Sequence, residues 1–215
     1  MSIERQNFAV NAVKAVQQYV YDTTAIKCRG NLSSRKRINL TRFIKKGTCT
    51  TKHEVLASNL ETLGYDVKYL TYPFYWQELP YSYPQEIQDL LDKMPRQNHL
   101  ALMVREDKEE KLIDVTWDPG LKNAGFIVPR VNSTVASTPL AVVPCSNPVV
   151  HSNIVDRSRY VESLWPTGPE HEIIGLFYIA LNIWLSGIRQ APIKVGGAEN
   201  RTLGMLFAPN AYQAR

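Results

Sequence analysis

Two spacings of apolar residues alternate along the chain. From Gln6 to Tyr21, Val10, Val13, Val16 and Val20, joined by Phe8 or Ala15, predict an amphipathic helix. Between Gly47 and Gly64, Val55, Leu56, Leu60 and Leu63 share a face and Gly64 suits a left-handed cap, so a second helix carries Cys49 in its first turn. The run Tyr65 to Tyr72 then alternates as a half-buried strand. Gln85 to Lys93 reads as a short helix, closed by Met94-Pro95. Strands at 98–105 and 111–117 flank a charged turn and form an antiparallel hairpin. Within Pro169 to Gly187, Ile173, Ile174, Phe177, Ala180, Leu181, Trp184 and Leu185 make the broad stripe of a core helix.

The segments between these elements are read by composition. Thr23 to Lys46 is basic, contains Gly30 and Ser33-Ser34, and predicts a long connection with at most a short helix. Tyr72 to Tyr83 holds six aromatic residues and two prolines. These break regular structure while offering Tyr72, Tyr75 and Trp76 as walls of a substrate groove. Pro119 to Val155 is poor in charge and rich in proline, which suits short edge strands and extended segments, with Cys145 packed among them. The tail from Pro192 onward, with Gly196-Gly197, predicts irregular structure. Without a linker or repeat, the expectation is a single α+β domain over 1–215. In it the cysteine helix packs on an antiparallel sheet, with an N-terminal helix and a C-terminal helical extension.

Composition narrows the class. The chain of 215 residues is 44% hydrophobic and 21% charged, the balance of a globular protein able to bury a core without metal or disulfide support. Cys28, Cys49 and Cys145 are too few and too scattered for a disulfide framework, and no Cys-x-x-Cys pair suggests zinc. No metal or cofactor is expected. No run approaches the roughly 18 uninterrupted apolar residues of a membrane span, so no membrane partner and a cytoplasmic location are expected. The formal charge of +5 owes much to the run from Lys27 to Lys52. That run lacks the interleaved aromatics that stack on bases, which disfavours nucleic acid and favours a solvated face near an anionic group.

Chemistry concentrates at Cys49. At a helix start the unpaired N–H groups and the macrodipole favour a thiolate, and between Asp22 and Glu54 every charged residue is basic. The Cys49 N–H is itself a natural oxyanion donor. In the downstream hairpin, residue pairs summing to about 216 lie opposite one another. His99 therefore falls near Trp117, within reach of Asp114 or Asp118, and the exact turn length decides between them. His53, one helical turn from Cys49, is a second candidate base, or would join Cys49, His99 and Asp114 as metal ligands. Its position behind the nucleophile argues against the base role, and the spacing of the four offers nothing beyond coincidence for a metal. His151 and His171 read as surface or structural residues.

Gly47-Thr48-Cys49 opening a helix that ends before Leu63-Gly64, then Asn98-His99, then Ile113-Asp114-Val115-Thr116-Trp117-Asp118, resembles the transglutaminase-like branch of the papain-like cysteine enzymes. The likeness spans about Lys46 to Asp118, a third of the chain. Thr50 stands where many members have an aromatic residue, and Val115 where proline is common. The resemblance implies Cys49 as nucleophile, His99 as general base and acid, and Asp114 as the group orienting the imidazole. It also implies acyl transfer from an amide or ester through a thioester, on a peptide, protein or small amide, to water or an amine. The alternative is a non-catalytic module of the same fold that binds a peptide or an anion. Oligomeric state is not legible.

Overall fold

The computed structural model describes residues 2–23 and 32–191. Cys28, most of the Thr23–Lys46 connection before Leu32, and the tail from Pro192 lie outside them. The described chain is a mixed α+β fold around a four-stranded antiparallel sheet of order β5-β4-β3-β6. These strands are β3 (Asp66–Phe74), β4 (Gln97–Glu106), β5 (Glu109–Ile113) and β6 (Val149–His151).

Helix α1 (Ile3–Gln17) starts on a Ser2 cap whose hydroxyl accepts the Arg5 N–H. It buries Val10, Val13 and Val16 but stops before Val20, read above as its last apolar position. The Val20 N–H instead meets the Lys45 carbonyl at 3.0 Å. Val20–Tyr21 (β1) thus forms a two-residue parallel ribbon with Lys46–Gly47 (β2).

The expected connection before β2 contains a three-turn helix, α2 (Ser34–Ile44). Its apolar pattern is weak because polar bonds hold it to the cysteine helix α3 (Cys49–Thr62). Arg37 pairs with the buried Glu54, and Arg42 reaches Asn59 at 2.6 Å and Ser58 at 3.3 Å. Lys45 ends α2 in the left-handed conformation.

α3 is central, with Thr51 through Ala57 and Leu60 all buried. Val55, Leu56 and Leu60 form one core with the inward residues of α1, Val67 and Tyr69 of β3, and Leu100, Leu102 and Val104 of β4. The predicted half-buried strand is in fact covered on both faces. Opposite that core, Leu70 and Tyr72 pack with Ala101, against Leu112 and Leu140. Such double cover blurs the two-residue alternation that a one-sided sheet would show.

The hairpin forms as expected, with pairs summing to 215: Leu102 faces Ile113 and Arg105 faces Glu110. β5 leaves the ladder at Ile113, and the chain beyond it runs beside α3. There the Val115 N–H meets His53 and the Thr116 carbonyl meets Lys52.

A second, aromatic core joins Phe74, Trp76, Tyr81, Trp117 and Phe126 to Phe177 and Trp184 of α6 (Pro169–Gln190) and to α4 (Gln85–Leu91). α6 is long and apolar enough by composition to cross a membrane. Here it buries Ile174, Phe177, Leu181, Trp184 and Leu185, and it uses Asn182 and Arg189 to bind Thr23 and Asp118. Helix α5 (Ile154–Ser163), capped by Asn153, occupies a stretch that the sequence reading left without structure. Cys145, expected to pack, is exposed: its N–H bonds the Pro73 carbonyl and its side chain is left outside.

Candidate active site

The site begins with how α3 starts. Thr48 caps the helix, its Oγ1 accepting the Thr51 N–H, while Thr51 Oγ1 accepts the Thr48 N–H at 3.1 Å. This reciprocal box holds Cys49 at the first helical position. There its N–H finds no partner among the described residues. Gly47 is required by space: a Cβ there would lie 2.2 Å from Thr51 Oγ1. Gly47→Ala is therefore expected to break the box, lowering stability by about 1–2 kcal/mol. Thermal unfolding and the rate of Cys49 alkylation should fall together.

His99, near the start of β4, and Asp114, just past β5, are both buried. His99 Nε2 lies 2.7 Å from Asp114 Oδ2. The Cys49 thiol is coupled to the His99 ring by charge and side-chain hydrogen bonding. Asp114 is fixed in turn. Its Oδ1 accepts the Thr116 N–H at 3.0 Å and the Thr116 hydroxyl at 2.7 Å, and its Oδ2 accepts the Ala141 N–H at 2.8 Å.

Burial alone would raise the Cys49 thiol and lower His99. For the thiol, the His99 hydrogen bond and charge, a Leu100 backbone hydrogen bond and the Arg157 charge outweigh burial and bring it down to about 7. For His99, the charge and hydrogen bond of Asp114, then Cys49, lift it to about 10. Asp114 is held well below the usual carboxylate range: burial opposes this, and His99 dominates the opposing interactions. At neutral pH these groups favour thiolate, imidazolium and carboxylate side by side.

The ambiguity between the two carboxylates resolves by geometry. Asp118 receives Arg189 through both oxygens, at 3.1 and 2.6 Å, and the Tyr21 N–H at 3.0 Å, so it ties α6 to β1. Asp114 alone meets His99.

His53 has both ring nitrogens engaged. Nε2 accepts the Val115 N–H at 3.1 Å, which leaves Nδ1–H to donate to the Cys49 carbonyl at 2.7 Å. Burial pushes it down to about 4, so it is neutral and braces α3 against the 114–118 segment. Among the described residues no group of His, Cys, Asp or Glu is arranged to hold a metal ion. His151 is buried against the Thr71 hydroxyl, while His171 accepts the Trp165 N–H at 2.9 Å.

Lys52 is completely buried, its ammonium donating to the Tyr19 and Thr116 carbonyls at 2.8 Å each. Burial lowers it to about 7, against the pull of Asp118 and Asp114. The unfolded chain therefore holds this proton up to about 10.5 while the folded chain releases it from about 7, and stability from Lys52 rises across that window. Lys52→Met should remove up to about 1.4 kcal/mol per pH unit of that slope. Denaturant unfolding of both proteins at pH 7, 8, 9 and 10 measures the difference.

Cys49 is partly exposed and opens onto a groove of about 250 Å³. Its aromatic walls are Tyr21, Trp165 and Tyr178. Tyr72, Tyr75 and Trp76 do not line it. Trp76 is consumed in the aromatic core against Phe177, and Tyr72 is buried opposite His99 on β3. Tyr75 lies at the surface, 36% exposed. Phe74 instead meets the His99 ring edge-on at 6.2 Å.

Arg37, Arg96 and Arg157 also line the groove, with Glu162 as its acidic residue. The sequence reading passed over Arg157. Its one signal was the Asn153-x-x-Asp156 cap pattern of α5, which turns Arg157 inward onto the Thr50 hydroxyl at 3.1 Å. Comparison of the chain with protein-family models, curated proteins and solved structures finds no match.

Proposed function

We propose that the protein is a cysteine-dependent acyl-transfer enzyme with a papain-like, transglutaminase-like arrangement of helix on sheet. The supporting observation is that one buried imidazole hydrogen bonds the Asp114 carboxylate and is electrostatically coupled to the Cys49 thiol, with Cys49 lining a groove. In the proposed reaction the Cys49 thiolate attacks an amide or ester carbonyl carbon, forming the C–S bond while the carbonyl π pair moves to oxygen. The Cys49 N–H, without a partner among the described residues, would receive that oxyanion. On collapse the bond to nitrogen or oxygen breaks, and the imidazolium of His99 gives the leaving group its proton. Neutral His99 then takes a proton from water or an amine, which attacks the thioester and releases the thiolate. Asp114 keeps the imidazole oriented throughout and stabilises its charged form.

Iodoacetamide at pH 7 tests this reading. Cys49 should alkylate at least about tenfold faster than exposed Cys145, because a thiol near pKa 7 is half ionised when an ordinary one is a few per cent ionised. His99→Ala should abolish that preference. Peptide mapping after a short pulse reads the ratio. Equal, slow labelling of the two cysteines would favour the non-catalytic peptide- or anion-binding module instead.

A further inference from the structure

Four charged side chains line the groove, and they are not equally satisfied. Arg37 is bound to Glu54 and lies in the field of Glu162. Arg96 is exposed and, among the described residues, has no ion-pair partner. Arg157 is the anomaly. It is 4% exposed, its Nη1 donates to the neutral Thr50 hydroxyl, its Nε has no hydrogen-bond partner, and no carboxylate pairs with it among the described residues. A buried guanidinium without an anion is costly, so the resting site must supply one. Burial lowers Arg157, and the counter-charges that oppose it are the Cys49 thiolate first and Glu54 second.

That compensation is lost during the proposed reaction. Once Cys49 becomes a thioester its sulfur is neutral, and Arg157 is left buried with its larger counter-charge gone and only the field of Glu54 remaining at the moment the acyl group occupies the groove. An acyl group bearing its own anion would restore the balance. A planar carboxylate is the match for a guanidinium whose Nε has no partner.

Building on the acyl-transfer reading, we propose that the preferred acyl donor carries a carboxylate that docks on Arg157 beside Cys49, with Arg96 as a second cation at the exposed edge of the groove. Donors of the dicarboxylic half-ester or half-amide type, and peptides with an acidic side chain next to the reacting carbonyl, belong to this class. The hydroxyl of Thr50, the residue after Cys49, accepts from Arg157 Nη1 at 3.1 Å and holds the guanidinium there.

The test compares two activated esters of similar length, mono-p-nitrophenyl succinate and p-nitrophenyl butyrate, at pH 8. In each, the thiolate displaces p-nitrophenolate, which carries away the negative charge as the thioester forms. Acylation of Cys49 is followed by intact-protein mass and p-nitrophenolate release, and each rate is divided by that of free N-acetylcysteine. The succinyl donor should be favoured by about tenfold or more after this correction. The preference should vanish in Arg157→Gln, persist in part in Arg157→Lys, and weaken in Arg96→Gln. Free succinate should protect Cys49 better than inorganic phosphate at equal concentration.

A corrected ratio near one in the wild-type protein overturns the proposal while leaving acyl transfer standing, and this arm needs no variant to fold. An Arg157→Gln variant that slows both esters equally also overturns it, by assigning Arg157 to the thiolate or oxyanion alone. Stronger protection by phosphate rejects the carboxylate. If neither ester acylates Cys49 and iodoacetamide shows no selectivity, the acyl-transfer reading itself fails and the proposal falls with it.

Discussion

Asp114→Asn is expected to give the largest loss of function of any single change outside Cys49 and His99. The two oxygens of Asp114 accept four donors: His99 Nε2–H, the Ala141 N–H, the Thr116 N–H and the Thr116 hydroxyl. An asparagine of the same shape has one acceptor oxygen. If its amide nitrogen faces Thr116, two donors meet a donor; if it faces His99, the imidazole must flip its tautomer and the ion pair with Cys49 dissolves. Either way His99 loses the charge that lifts it to about 10, and the thiol moves back up from about 7.

Turnover of an activated ester should fall about 10³–10⁴-fold, the scale set by wrong-tautomer substitutions in other nucleophile–imidazole–carboxylate sites. Cys49 alkylation at pH 6.5 should drop about tenfold or more, since a one-unit rise in thiol pKa removes that much thiolate. Stability should fall by about 2–4 kcal/mol, the cost of leaving buried donors unpaired. Ester hydrolysis, alkylation and denaturant unfolding on the same preparation measure all three. Unchanged alkylation would mean that Asp114 braces the fold without governing the sulfur.

The parts of this site legible in the sequence were those written in local pattern. Cys49 announced itself through Gly47, the hydroxyl cap and a helical stripe, all local quantities that tertiary packing did not override. His99 and Asp114 were legible as a pair because a hairpin converts sequence distance into spatial distance. The turn arithmetic, 216 expected against 215 observed, was tight enough to bring them close and too loose to separate Asp114 from Asp118. What separated them was Arg189, more than 70 residues away on α6, and no local pattern announces such a contact.

Polarity hid the remainder. α2 was legible only as at most a short helix because it is held by Arg37 and Arg42 instead of by an apolar face, and Arg157 was not legible because α5 turns one charged residue inward. The aromatic segment from Tyr72 misled for a related reason: composition marks large side chains but not their direction. Trp76 turned to the Phe177 and Trp117 rings, and the groove took its aromatic walls from Tyr21, Trp165 and Tyr178, which come from separate parts of the chain.

The pH dependence of the proposed reaction should separate the roles of sulfur and imidazole. Below about 7 the thiol holds its proton, so both alkylation and acyl transfer should lose about tenfold per pH unit, reaching roughly hundredfold at pH 5. Above about 10 His99 gives up its proton. Alkylation by iodoacetamide needs only a thiolate and should stay on its plateau there. Turnover of an amide needs an acid for the leaving nitrogen and should fall, giving a bell. The two apparent constants belong to the pair jointly, because each group's charge sets the other's affinity for a proton.

Stability follows the same groups with signs that differ. Asp114, depressed in the folded state, contributes above its unfolded value of 3.8, and that contribution is lost as pH falls through its lower folded value. His99, raised, contributes fully below 6.5 and loses that contribution as pH climbs to about 10. Cys49 ionises at about 7 folded against 9.0 unfolded, so between those values it stabilises with rising pH and offsets most of the decline from His99. A Cys49→Ser variant lacks that offset, so between about pH 7 and 9 its stability should fall relative to the parent's by up to about 1.4 kcal/mol per pH unit, with the Lys52 contribution common to both. Parallel curves for the two proteins would mean that thiol and imidazole titrate independently, and the ion pair on which acyl transfer depends would not exist.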